Sequence, residues 1–196
     1  MTGVQTCALP ISEDFPPPDI KTAVRDMLRL GGFKPAGRQK PSSEYLGQAA
    51  REGRFPSING PVDCNNVLSL DLGLPISLLD ADATGPDVMV RIAAAGASYV
   101  FNASGQDMDL EGLLCIYGNP AGTSSHPTDQ GGAVPLGNPV KDSMQGKIKE
   151  NSRRLAGFIY APPALYTPET LALAGERFAA MLRDYCGADA AVAAVV

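Results

Sequence analysis

Apolar side chains recur at three- and four-residue steps at Ile20, Val24, Met27 and Leu28, which predicts an amphipathic helix over residues 19–30. Asp19 is its expected cap and Gly31-Gly32 its stop. A basic connector over 34–41 leads to Ser42 or Ser43, either of which can cap a short helix to about residue 52. Pro61 then marks a start, and 62–72 reads as a mostly buried helix. Val62, Asn66, Ser69 and Leu70 share one flank, with Leu68 and Leu72 behind. Gly73 ends that helix, and Pro75 forces an extended exit at Leu74.

Beyond Pro75 the period shortens. Residues 76–79 form a brief apolar strand, and Asp80, Asp82, Gly85 and Pro86 carry turn signals. Residues 88–92, 98–101 and 113–117 read as strands, with Gly96 at a tight reversal. Residues 118–140 are Gly/Pro-rich without a clear period, so they read as a functional loop or a surface insertion. A basic run at 147–154 precedes a strand over 155–160. Thr167 and Pro168 open the clearest helix, 169–185, which carries Leu171, Leu173, Phe178, Met181 and Leu182 and ends at Gly187. Strands set between N-terminal helices and one C-terminal helix predict an α+β fold rather than a doubly wound parallel sheet.

The 196 residues suffice for one core without staples. Residues 1–11, MTGVQTCALPI, resemble the in-frame translation of a sequencing-adapter oligonucleotide and are set aside with Cys7. Residues 12–196 are then expected to form a single domain that lacks its true N-terminus. Cys64, Cys115 and Cys186 are widely spaced, as expected of reduced, buried thiols in a cytoplasmic protein. No apolar run approaches the roughly 20 residues of a membrane span. Sixteen basic against 21 acidic side chains, net −5, disfavour a partner held by non-specific phosphate neutralisation, so neither DNA nor a membrane is expected.

Candidate chemistry is sparse. His126 is the only histidine, without metal-ligand spacing around it, and it reads as a loop residue or a substrate contact. Glycine-rich nucleotide motifs are absent, and neither metal nor cofactor is expected. Asp80 and Asp82 fall on one face of an extended segment, where they can orient water or cap the turn. Asn65 and Asn66, adjacent amides in an apolar helix, must find partners or line a polar pocket. Lys147, Lys149, Arg153 and Arg154 either contact phosphates or form a solvated face.

The segment NGPVDCNNVLSLDLGLPISLLDADATGPDVMVRIAAAGASYVF, residues 59–101, resembles the B3/B4 family. This is the editing domain of the phenylalanyl-tRNA synthetase β subunit, also found as a free-standing protein. The match rests on Asn66 in the helix, Gly73-Leu74-Pro75 at its exit, Asp80 and Asp82 at the turn, Arg91 at the strand end and Gly96 in the reversal. Tyr185-Cys186-Gly187 is similar to the family's end.

The resemblance implies a B3/B4-like α+β domain, with layered mixed sheets and flanking helices around a cleft. It also implies tRNA acceptor-end binding, with hydrolysis of misacylated aminoacyl-tRNA in trans. Asn66, Asp80 and Asp82 are the candidate catalytic residues, and Asn65, Arg91 and His126 are the candidate substrate contacts. Lys147, Lys149, Arg153 and Arg154 are the candidate RNA contacts. The expected partners are a tRNA and an amino acid or aminoacyl moiety. The alternative is a non-catalytic amino-acid- or protein-binding module on the same fold. Free-standing members often carry a tryptophan-containing basic segment after the strand equivalent to 113–117, whereas this chain has no tryptophan and reads YGNPAGTSSHPTDQGG there.

Overall fold

The structure is a computed structural model that describes residues 11–119 and 132–189. Its elements run α1 (Pro18–Leu28), α2 (Ser42–Arg51), α3 (Gly60–Leu72), β1 (Ile76–Asp80), α4 (Ala81–Thr84), β2 (Val88–Ile92), β3 (Ser98–Val100), β4 (Asp107–Asp109), β5 (Leu114–Gly118), β6 (Val134–Gly137), β7 (Leu155–Ile159) and α5 (Pro168–Cys186). Helices and strands are mixed in α+β fashion. Among the described residues the strands form three small sheets, β1-β7, β2-β5-β6 and β3-β4. Every pairing in them is antiparallel, where the family resemblance implied mixed sheets.

The helix signals act through identifiable groups. Asn59 caps α3 by accepting from the Val62 amide at 3.0 Å, and Asp63 Oδ1 accepts from the Ile58 amide at 2.7 Å. Gly73 closes the helix at φ 70°, a left-handed position that costs a side chain strain. Thr167 and Thr170 form a reciprocal capping box at the start of α5. Glu44 of α2 is buried because Arg25 of α1 grips it with two bonds, Nε to Oε1 at 2.7 Å and Nη2 to Oε2 at 2.8 Å.

Strand β1 is the spine and is buried along its whole length. Ile76 and Leu78 pack with Cys64 and Leu68 of α3 and with Phe178 and Leu182 of α5. Leu79 points the other way, into a cluster with Ile116, Leu136 and Tyr160. A third cluster joins Val24, Leu28 and Phe33 to Leu74, Leu110, Leu113 and Cys115. Full burial of a leucine such as Leu68 or Leu79 contributes about 1.5–3 kcal/mol. Strand β2 differs in lying at a sheet edge, with Val88, Met89, Val90 and Ile92 exposed.

Several features depart from the sequence expectation. Helices α1 and α2 start after Pro17 and Pro41 with no side-chain cap, so Asp19, Ser42 and Ser43 lie inside the helices instead of capping them. The 80–86 turn contains a one-turn helix, α4, whose cap is Asp80. Strands β4 and β6 were not anticipated, and β6 lies inside the segment read as loop.

Candidate functional site

Asp80 and the basic run converge on one corner. Asp80 Oδ1 accepts from the Asp82 amide at 2.9 Å and Oδ2 accepts from the Ser152 hydroxyl. Burial works to raise the Asp80 carboxyl. The bonds from Ser152, Asp82 and Ala83, with the charge of Lys149, outweigh it and leave the carboxyl below its ordinary range. Asp82 Oδ1 lies 3.2 Å from Arg154 Nη1 in an exposed ion pair. Arg153 donates to the Glu150 and Ser152 carbonyls at 3.1 and 3.0 Å. Lys147 donates to the Phe101 carbonyl, and burial pulls its ammonium down against the opposing charge of Asp142. Of the basic run, only Arg154 pairs directly with the acidic turn, in an exposed contact, and Asp80 acts as a cap and loop tie.

The α3 amides are placed differently. Asn65 Nδ2 donates to the Ile76 carbonyl at 3.4 Å, while its Oδ1 is buried with no hydrogen-bond partner. Asn66 is also buried, and its side chain makes no hydrogen bond among the described residues. Asn65 thus meets the first residue of β1 and Asp80 is the last. Four strand steps, about 13 Å, separate those ends. Arg91 lies on β2 with its guanidinium 3.9 Å from the Tyr117 ring centroid. His126 and most of the Gly/Pro-rich loop lie outside the described residues.

A second polar cluster was not singled out from sequence. Ser77, the one hydroxyl residue of buried β1, donates to Asp142 Oδ1 at 2.6 Å, and its oxygen lies 2.9 Å from the Tyr160 hydroxyl. A serine has one proton to give, so Tyr160 donates to Ser77 and Ser77 to the ionised carboxylate. The Asn138 amide also reaches Asp142 Oδ1, at 3.3 Å. Asn138 Oδ1 accepts from the Val140 and Lys141 amides at 2.8 and 2.9 Å, and its Nδ2 donates to Tyr99, whose hydroxyl bonds the Lys141 carbonyl.

Burial pushes the Asp142 carboxyl up to about 7 against the bonds from Ser77 and Asn138 and the charge of Lys147. Burial and the same carboxylate raise Tyr160 and Tyr99. Together these groups form a buried hydrogen-bonded cluster around a carboxyl that burial raises. The sequence signal was a lone hydroxyl in a buried strand, which must find a partner.

Among the described residues no group of three or more His, Cys, Asp or Glu is arranged to hold a metal, and no helix is long and apolar enough to cross a membrane. Comparison with models of known families and with curated proteins gives no match.

Proposed function

We propose that the protein binds the acceptor end of a tRNA in the cytoplasm and hydrolyses the ester of a misattached amino acid there. The observation that carries this reading is the polar flank in the middle of α3, where Asn65 Oδ1 sits buried without a partner beside the buried Asn66. Buried amides of this kind are costly unless a ligand completes them. The B3/B4-like run of residues 59–91 supports the choice of ligand, an aminoacyl group. Aminoacyl esters are already activated, so a positioned water and donors aimed at the developing oxyanion suffice without a strong nucleophile. Asn66 orients the ester, while Asp80 and Asp82 hold the turn at the far end of β1. Lys149, Arg153 and Arg154 supply the phosphate contacts. Purified protein incubated with Tyr-tRNA and Phe-tRNA is expected to accelerate deacylation of one. No acceleration of either, with no salt-dependent tRNA binding, removes the proposal.

A second reading is favoured by the occupied carboxylates. Asp80 is committed to Asp82 and Ser152, and Asp82 to Arg154, so the same flank can serve as a non-catalytic module for an amino acid or a protein segment. A thermal-shift screen with free amino acids separates the cases, because a ligand of the native state raises the transition. A shift without deacylation selects this reading.

A further inference from the structure

Cys64 and Cys186 are 122 positions apart in sequence, yet their sulfurs lie 4.0 Å apart. Cys64 is buried on α3, with its thiol also 3.8 Å from the Met181 carbonyl. Cys186 is the last residue of α5 and is partly exposed. The close approach depends on Gly60, where an added Cβ would stand 3.0 Å from the Cys186 sulfur.

We propose that Cys64 and Cys186 form a reversible disulfide that clamps α3 to the end of α5, with a low-molecular-weight disulfide such as glutathione disulfide as oxidant. The bond requires the sulfurs to close to about 2.05 Å. Cys186 occupies a helix terminus, where small adjustments are least constrained.

The order of events follows from exposure. The Cys186 thiolate attacks one sulfur of glutathione disulfide, forming a mixed disulfide and expelling one glutathione thiolate, which takes up the proton that Cys186 gave to solvent. Cys64 then attacks the Cys186 sulfur, loses its own proton and expels the second glutathione. Two thiols are oxidised and one disulfide is reduced to two thiols. Burial first, with Cys186 alongside, pushes the Cys64 thiol up to about 12, so Cys64 acts second and only through proximity. Cys115 is fully buried in the other cluster and serves as an internal control. The clamp joins the N-terminal half of α3 to α5 immediately before Asn65 and Asn66.

The test uses the full chain with Cys7→Ser, incubated natively with glutathione disulfide, acid-quenched, alkylated and mapped without reduction. The expected product is a cross-link between the peptides holding Cys64 and Cys186, reversed by dithiothreitol, with Cys115 still alkylated. Cys64→Ser is expected to leave Cys186 as a lasting glutathione adduct, and Cys186→Ser to slow Cys64 oxidation by about tenfold or more. The oxidised form should unfold at higher denaturant than the reduced form, because the bond closes a long loop in the unfolded chain. A persisting adduct in the parent overturns the proposal. So does a cross-link that forms only in denaturant, or an oxidised form that unfolds earlier.

Discussion

The Ser77 hydroxyl stands 2.6 Å from Asp142 Oδ1, in a space closed by Tyr160 and Asn138. Folding raises the Asp142 carboxyl from 3.8 to about 7, so between those values the native state holds a proton that the unfolded chain has lost. Stability from this group is complete below 3.8 and declines as pH rises through about 7. Asp142→Asn keeps an acceptor for Ser77 and cannot titrate. Its urea stability relative to wild type is expected to improve by about 2 kcal/mol from pH 4 to pH 8, allowing for partial solvent access. A flat difference across that range would show that Asp142 titrates normally.

Gly137 lies against the same pair. A Cβ there would stand 2.9 Å from Asp142 Oδ1, 3.1 Å from Leu79 Cδ1 and 3.3 Å from Ser77 Oγ. Three close neighbours in a filled space leave nowhere to move, so Gly137→Ala is expected to cost about 1–3 kcal/mol. Equilibrium denaturation measures it, and an unchanged midpoint would mean that the cluster relaxes freely.

The legible parts of the chain were those whose signal is local. The helices near 19–30, 62–72 and 169–185 have apolar periods with Pro, Gly or hydroxyl boundaries, and α1, α3 and α5 form there. Strand β4 has two aspartates in three residues, and β6 includes a proline and a glycine. Neither has intrinsic strand preference, and both exist through pairing with β3 and β5. The candidate site divides in the same way. That Asn65 and Asn66 are buried follows from their helix, whereas the bonds of Ser77 to Asp142 and of Asp80 to Ser152 span 65 and 72 positions. No spacing rule encodes contacts created by tertiary packing.

Asp80 supplies a stability prediction of opposite pH sign. Its carboxyl is held below the ordinary range, so its contribution is present above the unfolded value of 3.8 and is lost as pH falls through the lower folded value. Asp80→Ala removes the cap of α4 and the tie to Ser152 and is expected to cost about 1–2 kcal/mol at pH 7. Denaturant midpoints of the two proteins should approach each other in acid. A gap that stays constant down to pH 2 would assign the loss to packing alone.

Asn66 and Ser77 separate ligand binding from scaffold integrity. Ser77→Ala strips the partner from the Tyr160 hydroxyl and one donor from Asp142, so it should lower stability by about 1–3 kcal/mol. Asn66 has no side-chain hydrogen bond to lose among the described residues, and Asn66→Ala should unfold within about 1 kcal/mol of wild type. Its deacylation rate on the cognate aminoacyl-tRNA should nonetheless fall about 100-fold, the scale for removing one donor from a developing oxyanion. Paired denaturation and single-turnover deacylation read both effects. Wild-type rates in a well-folded Asn66→Ala protein would move the aminoacyl site away from α3, because an amide that contacts the ester cannot be deleted without cost to the reaction.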